Sequence, residues 1–111
     1  MSKQPKEYIR HILDEIDFLL DLVQDLTLVD LLQDEIKMRA VARSIQIIGE
    51  ATKKIPDSFR LEHTNVEWKD MAGIRDQVVH DYMGVDYEII WDVIQNNLPE
   101  LKIKLLKLLD E

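Results

Sequence analysis

The stretch Pro5-Lys6-Glu7-Tyr8-Ile9-Arg10-His11-Ile12-Leu13-Asp14-Glu15-Ile16-Asp17-Phe18-Leu19-Leu20-Asp21-Leu22-Val23 decides the fold class. Its apolar side chains Tyr8, Ile9, Ile12, Leu13, Ile16, Leu19, Leu20 and Val23 fill one arc about 140° wide at ~100° per residue. Glu7, Asp14, Asp17, Asp21 and Asp25 occupy the other side. The pattern predicts a helix from Pro5 to about Leu26, buried against more than one neighbour and acidic on its back. Pro5 suits a first helical turn, where its missing N–H costs nothing.

Working outward, Thr27 to Asp30 reads as a break with Asp30 as N-cap. A second helix is expected from Leu31 to Lys54. Met38, Val41, Ala42, Ile45, Gly49 and Thr52 share its inner stripe. Gly49 costs ~1 kcal/mol there relative to Ala, which points to close approach of a neighbouring helix. Ile36 and Ile47 project from the opposite side, as either a partner surface or the edge of a wide core face. Ile55-Pro56-Asp57 ends this helix, because the residue before a proline avoids the helical region. Residues 57–64 read as a polar connection. A third helix follows, capped by Asn65, with Trp68, Met71, Ile74 and Val78 inside. Gly84 and Asp86 mark the next break. The fourth helix carries Ile89, Ile90, Val93 and Ile94, and Pro99 kinks or divides it. No run alternates as a strand would. The expectation is an all-α bundle of about four or five helices, one domain over residues 1–111.

Composition narrows the function. Of 111 residues, 22 are acidic and 14 basic, giving a formal charge of −8, and there is no Cys. The absence of Cys excludes disulfides, a thiol nucleophile and Cys-bearing zinc sites. The negative charge disfavours non-specific nucleic-acid binding over the whole surface, though not at a local basic site. No apolar run approaches the ~20 residues of a membrane span, and the acid-studded N-terminal segment is unlike a signal peptide. A soluble, cytoplasmic protein is expected.

One segment departs from the pattern: Ile74-Arg75-Asp76-Gln77-Val78-Val79-His80-Asp81-Tyr82. On a continuous helix Arg75 is centred in an apolar arc of Met71, Ala72, Val78, Val79 and Tyr82. A permanent cation there is expensive unless it is ion-paired, with Glu50 as a candidate partner, or faces a wet cleft. Asp76 and His80, four residues apart, would share one helical edge, so that the carboxylate orients the imidazole. His80 alone would suit a helix C-terminus equally well. Together a phosphate-binding cation, a proton-transfer group, an orienting acid and a phenol suit phosphodiester chemistry. On the second helix Arg39, Arg43, Gln46 and Glu50 form a polar strip ending near Lys53 and Lys54. It is either a path for a phosphate backbone or an ordinary solvated face.

Arg75-x4-His80-x-Tyr82 matches the R-x4-H-x-Y signature of the HepT-like toxins of the HEPN ribonuclease superfamily, and the chain resembles that family over nearly its whole length. Ile47-Ile48-Gly49-Glu50-Ala51 before Lys53-Lys54-Ile55-Pro56, Trp68 ahead of Met71-Ala72-Gly73-Ile74-Arg75-Asp76, and Tyr87 to Leu101 with Trp91 and Leu98-Pro99-Glu100 are similar to family hallmarks in the same order. The resemblance implies a HEPN-type bundle acting as a homodimer, and a metal-independent endoribonuclease with no cofactor. Arg75 and His80 would be catalytic, Asp76 supporting, and Tyr82 the site of AMP addition by a cognate MntA-like nucleotidyltransferase antitoxin. Arg39, Arg43, Lys53 and Lys54 would be available to RNA. The alternative is a non-catalytic helical subunit that binds substrate for, or docks onto, a nucleotidyltransferase.

Overall fold

The computed structural model describes residues 4–80 and 84–111, with Val79 and His80 described by their backbone. Helix α1 (Pro5–Leu22) packs along α3 (Glu35–Lys53) and α8 (Leu98–Leu109). Between them run α2 (Leu28–Leu32), α4 (Asp57–Glu62), α5 (Trp68–Ala72), α6 (Ile74–Val78) and α7 (Tyr87–Asp92). The all-α expectation holds. The radius of gyration is 14.1 Å, close to the ~13 Å expected of a chain this long. No described helix is long and apolar enough to cross a membrane.

The core follows the sequence arcs. Ile9, Ile12, Ile16 and Leu19 of α1 are fully buried against Val41, Ile45 and Ile48 of α3, with Ile90, Ile94, Leu98 and Leu105 closing the far side. Each such side chain contributes roughly 1.5–3 kcal/mol by leaving water. Asp17 pairs with Lys102 at 2.7 Å, fixing α8 alongside α1.

Several boundaries differ from expectation, each for a local reason. α1 ends at Leu22, and the next cap is Thr27, not Asp30. Thr27 Oγ1 accepts from the Asp30 backbone N–H, and the Asp30 carboxylate accepts from the Thr27 N–H, a reciprocal capping box. The long second helix is therefore divided, because Asp34 caps α3 anew by accepting from the Lys37 N–H. The supposed connection over residues 57–64 contains α4. From it Arg60 donates to the carbonyls of Thr52 (2.6 Å) and Ile55 (3.1 Å), tying α4 back onto the end of α3. Asn65 is not a cap: α5 starts at Trp68, anchored by its indole N–H to the His63 carbonyl at 2.8 Å.

The largest difference lies at the motif. The third helix stops at Val78 instead of running on. Val79–His80 (β1) pairs antiparallel with Gly84–Val85 (β2), in register Val79 with Val85 and His80 with Gly84. Consecutive β-branched Val78 and Val79 favour extended backbone, and Gly84 supplies φ +89°, which other residues rarely adopt. Downstream, Pro99 does not break the chain. Val93–Asn97 forms a π turn that leads directly into α8, with Pro99 in its first turn where no donor is needed.

Candidate active site

Arg75 is carried by the short helix α6, held down by Ile74 and Val78, both buried. Its guanidinium is not in the core. The side chain is 48% exposed, with Nη1 3.5 Å from Oδ1 of the more exposed Asp76. The helix ends at Val78, so the continuous helical face on which the apolar arc around Arg75 was expected stops there. Glu50 is not its partner either: that carboxylate accepts from Gln46 along α3 at 3.0 Å. An exposed pair of this kind is worth at most ~1 kcal/mol, so the guanidinium is available to a ligand at little cost.

His80 leaves the helix edge on which sequence spacing placed it beside Asp76 and sits instead on β1. Its backbone position is fixed from two sides. The Val78 carbonyl accepts from the Asp86 N–H at 2.6 Å, and His80 pairs with Gly84 across the ribbon. Asp86 then caps α7, as expected, accepting from the Ile89 N–H. Tyr82, with Asp81, lies outside the described residues. The arrangement is a helix–ribbon–helix clasp with Arg75 just before the ribbon and His80 in it.

Of the basic strip, Arg39 is tied to Glu35 at 2.6 Å with both side chains exposed, while Arg43 and Lys53 on α3 and Lys54 at its C-cap are exposed. Arg39 also exerts its field on Tyr87 at the start of α7. Burial raises the Tyr87 phenol above its usual range, and the Arg39 charge partly offsets this. Sequence spacing gave no sign of this relationship, since it joins residues on two helices. It also missed a groove of about 400 Å³ between α5–α6 and α7–α8, rimmed by Glu67, Asp70, Asp92 and Glu100.

The family model for HepT-like ribonucleases matches residues 12–108. The chain belongs to the HepT-like ribonuclease family. Within it, the chain is 42% identical over 109 residues to a protein of Caldanaerobacter subterraneus described as a candidate RNase, covering 98% of this chain and 97% of that one. It is 38% identical over 98 residues to another so described from Methanocaldococcus jannaschii, covering 88% and 81%. It is 35% identical over 108 residues to "Probable ribonuclease HepT" of Thermococcus cleftensis, covering 97% and 98%. No solved structure matches the chain. A HepT-like domain thus spans the bundle and the clasp together.

Proposed function

We propose that this protein is a metal-independent RNA endonuclease acting as the toxin of a toxin–antitoxin pair. His80 takes the 2′-hydroxyl proton of the substrate ribose. The 2′-oxygen attacks the adjacent phosphorus, the 5′-oxygen leaves and collects a proton, and a 2′,3′-cyclic phosphate remains. Arg75 stabilises the charge that builds on the phosphoryl oxygens, where a fixed cation lowers the barrier most. Asp76 steadies the guanidinium. Two protomers bring their clasps to one cleft, and Arg43, Lys53 and Lys54 guide the phosphate backbone. A nucleotidyltransferase antitoxin adds AMP to Tyr82: the phenol oxygen attacks the nucleotide α-phosphorus and pyrophosphate leaves. The bulky anionic adduct repels RNA.

One observation supports this reading above the others: in a HepT-like ribonuclease chain, the guanidinium that a core role would bury is half-exposed, on the helix that runs directly into the strand carrying His80. The test is cleavage of a fluorescent RNA by purified protein in the presence of EDTA. Cleavage by the wild type and its loss in both Arg75→Ala and His80→Ala is the expected result. Undiminished cleavage in either variant removes that residue from the mechanism. Mass spectrometry after incubation with the partner enzyme and ATP tests Tyr82, by an AMP increment absent from Tyr82→Phe.

A further inference from the structure

The clasp around the candidate site has its joint at Asp86. The ribbon has two residues on each strand, Val79–His80 against Gly84–Val85, and two strands so short do not hold themselves together in water. The register is continued at its open end, where the Asp86 N–H donates to the Val78 carbonyl at 2.6 Å. Val78 is the last residue of α6 and is buried. The bond therefore ties the ribbon to the helix of Arg75, next to the Val79–Val85 pair. A slip of one residue in a ribbon turns every side chain to the other face. Whatever keeps Asp86 against Val78 thus sets the register in which His80 meets Gly84.

The side chain of Asp86 acts on the next element. Its carboxylate accepts from the Ile89 N–H at 3.1 Å, and its carbonyl accepts from the Ile90 N–H at 3.2 Å. With φ −87° and ψ 92°, Asp86 is at once extended backbone continuing the ribbon and the N-cap of α7. A helix of six residues, Tyr87–Asp92, is too short to persist unaided. It is held by this cap and by Ile90, which is fully buried. Without the carboxylate the first turn of α7 frays, and the residue that frays with it is the one whose N–H registers the ribbon. We propose that Asp86 is a positioning residue of the nuclease site, acting through His80: its side chain fixes its own backbone, and that backbone fixes the ribbon. The inference rests on the reading of His80 as the proton-transfer group. The carboxylate takes no part in the chemistry, so an uncharged cap can replace it.

The test compares Asp86→Ala with Asp34→Ala, which removes the corresponding cap, also 3.1 Å long, from the start of α3. In Asp86→Ala, hydrogen exchange of the His80 amide is expected to quicken roughly five-fold or more relative to the amides of α1, as loss of a cap predicts. Its kcat for cleavage of a fluorescent RNA should fall about ten-fold with KM little changed, because a displaced reacting group costs rate more than binding. Asp34→Ala should show neither effect beyond its change in global stability. Asp86→Asn should recover most of kcat, because Asn caps a helix as well as Asp does. Should Asp86→Ala fail to fold, Asp86→Thr, a weaker cap, is read in the same way. Exchange is measured without RNA. Absence of cleavage by the wild type therefore removes the nuclease reading, while the exchange comparison still decides whether Asp86 holds the ribbon. Three results overturn the proposal: His80 exchange unchanged in Asp86→Ala, cleavage lost equally in Asp34→Ala, or Asp86→Asn no better than Asp86→Ala.

Discussion

Gly49 lies against Ala72 so closely that a Cβ at position 49 would sit 3.5 Å from the Ala72 carbonyl oxygen and 3.6 Å from Ile74 Cγ2. This is the joint at which α3 supports the α5–α6 junction, one residue before Arg75. Those distances are ordinary contact, so the space admits a methyl group and little more. Gly49→Ala is expected to leave the fold intact and to stabilise it by up to about 1 kcal/mol, because Ala is the better helix residue. Gly49→Leu must push α6 away, at a cost of roughly 1–3 kcal/mol, and RNA cleavage should fall with it. Urea unfolding of the two variants checks the sign of each effect.

Gly84 holds the clasp in a different way. Among the described residues nothing lies within 4 Å of a Cβ placed there, and the constraint is φ +89°. Gly84→Ala is expected to cost about 1–2 kcal/mol. The loss falls on the ribbon that registers His80, so cleavage should drop more than global stability. Hydrogen exchange of the His80 amide beside a thermal melt separates the two. Equal loosening of α1 and the ribbon would argue against a local role.

Much of the bundle was legible because periodicity records burial. The α1 arc, the Asp86 cap and the close approach at Gly49 follow from side-chain spacing alone. The breaks were less legible. Asp34 and Thr27 win backbone donors by local hydrogen bonding that period counting does not weigh, and Arg60 reaches back across Pro56 to carbonyls it does not neighbour in sequence. At the site, the identity of Arg75 was readable but its surroundings were not. Side-chain spacing places these residues on one continuous helix, whereas the chain leaves α6 after Val78 and, with a positive-φ Gly84, forms a ribbon. That turn moves His80 off the helix edge it would have shared with Asp76. The groove was invisible for the same reason that Tyr87 and Arg39 were: its walls come from helices distant in sequence.

The Tyr87 phenol provides a pH-dependent check on the placement of α7 against α3. Burial disfavours the phenolate, so the folded-state pKa lies above the unfolded value of 10.0. The stability this represents is fully present below that value and is lost as pH rises through the folded pKa. Arg39 opposes the shift, so Arg39→Ala is expected to move the Tyr87 titration further upward. The difference in absorbance titration between the wild type and Tyr87→Phe isolates this phenol from Tyr8 and Tyr82. A downward move in Arg39→Ala would separate the two side chains.

Arg75 offers the sharpest division between a structural and a catalytic cation. A guanidinium serving as an internal ion-pair partner would cost about 3–5 kcal/mol on removal, because a buried charge would be left alone. At 48% exposure and 3.5 Å from an even more exposed carboxylate, its removal should change unfolding stability by less than about 1 kcal/mol. Loss of a charge-stabilising group from a phosphoryl transition state should still slow RNA cleavage roughly 100- to 1,000-fold. Arg75→Lys keeps the charge but loses the planar two-donor fork, so it should recover only part of that rate. Chemical denaturation and single-turnover cleavage of the same preparations give both numbers. Coincident loss of stability and activity in Arg75→Ala would return the residue to a structural role. Activity falling alone, with partial rescue by Lys, places the guanidinium on the phosphate.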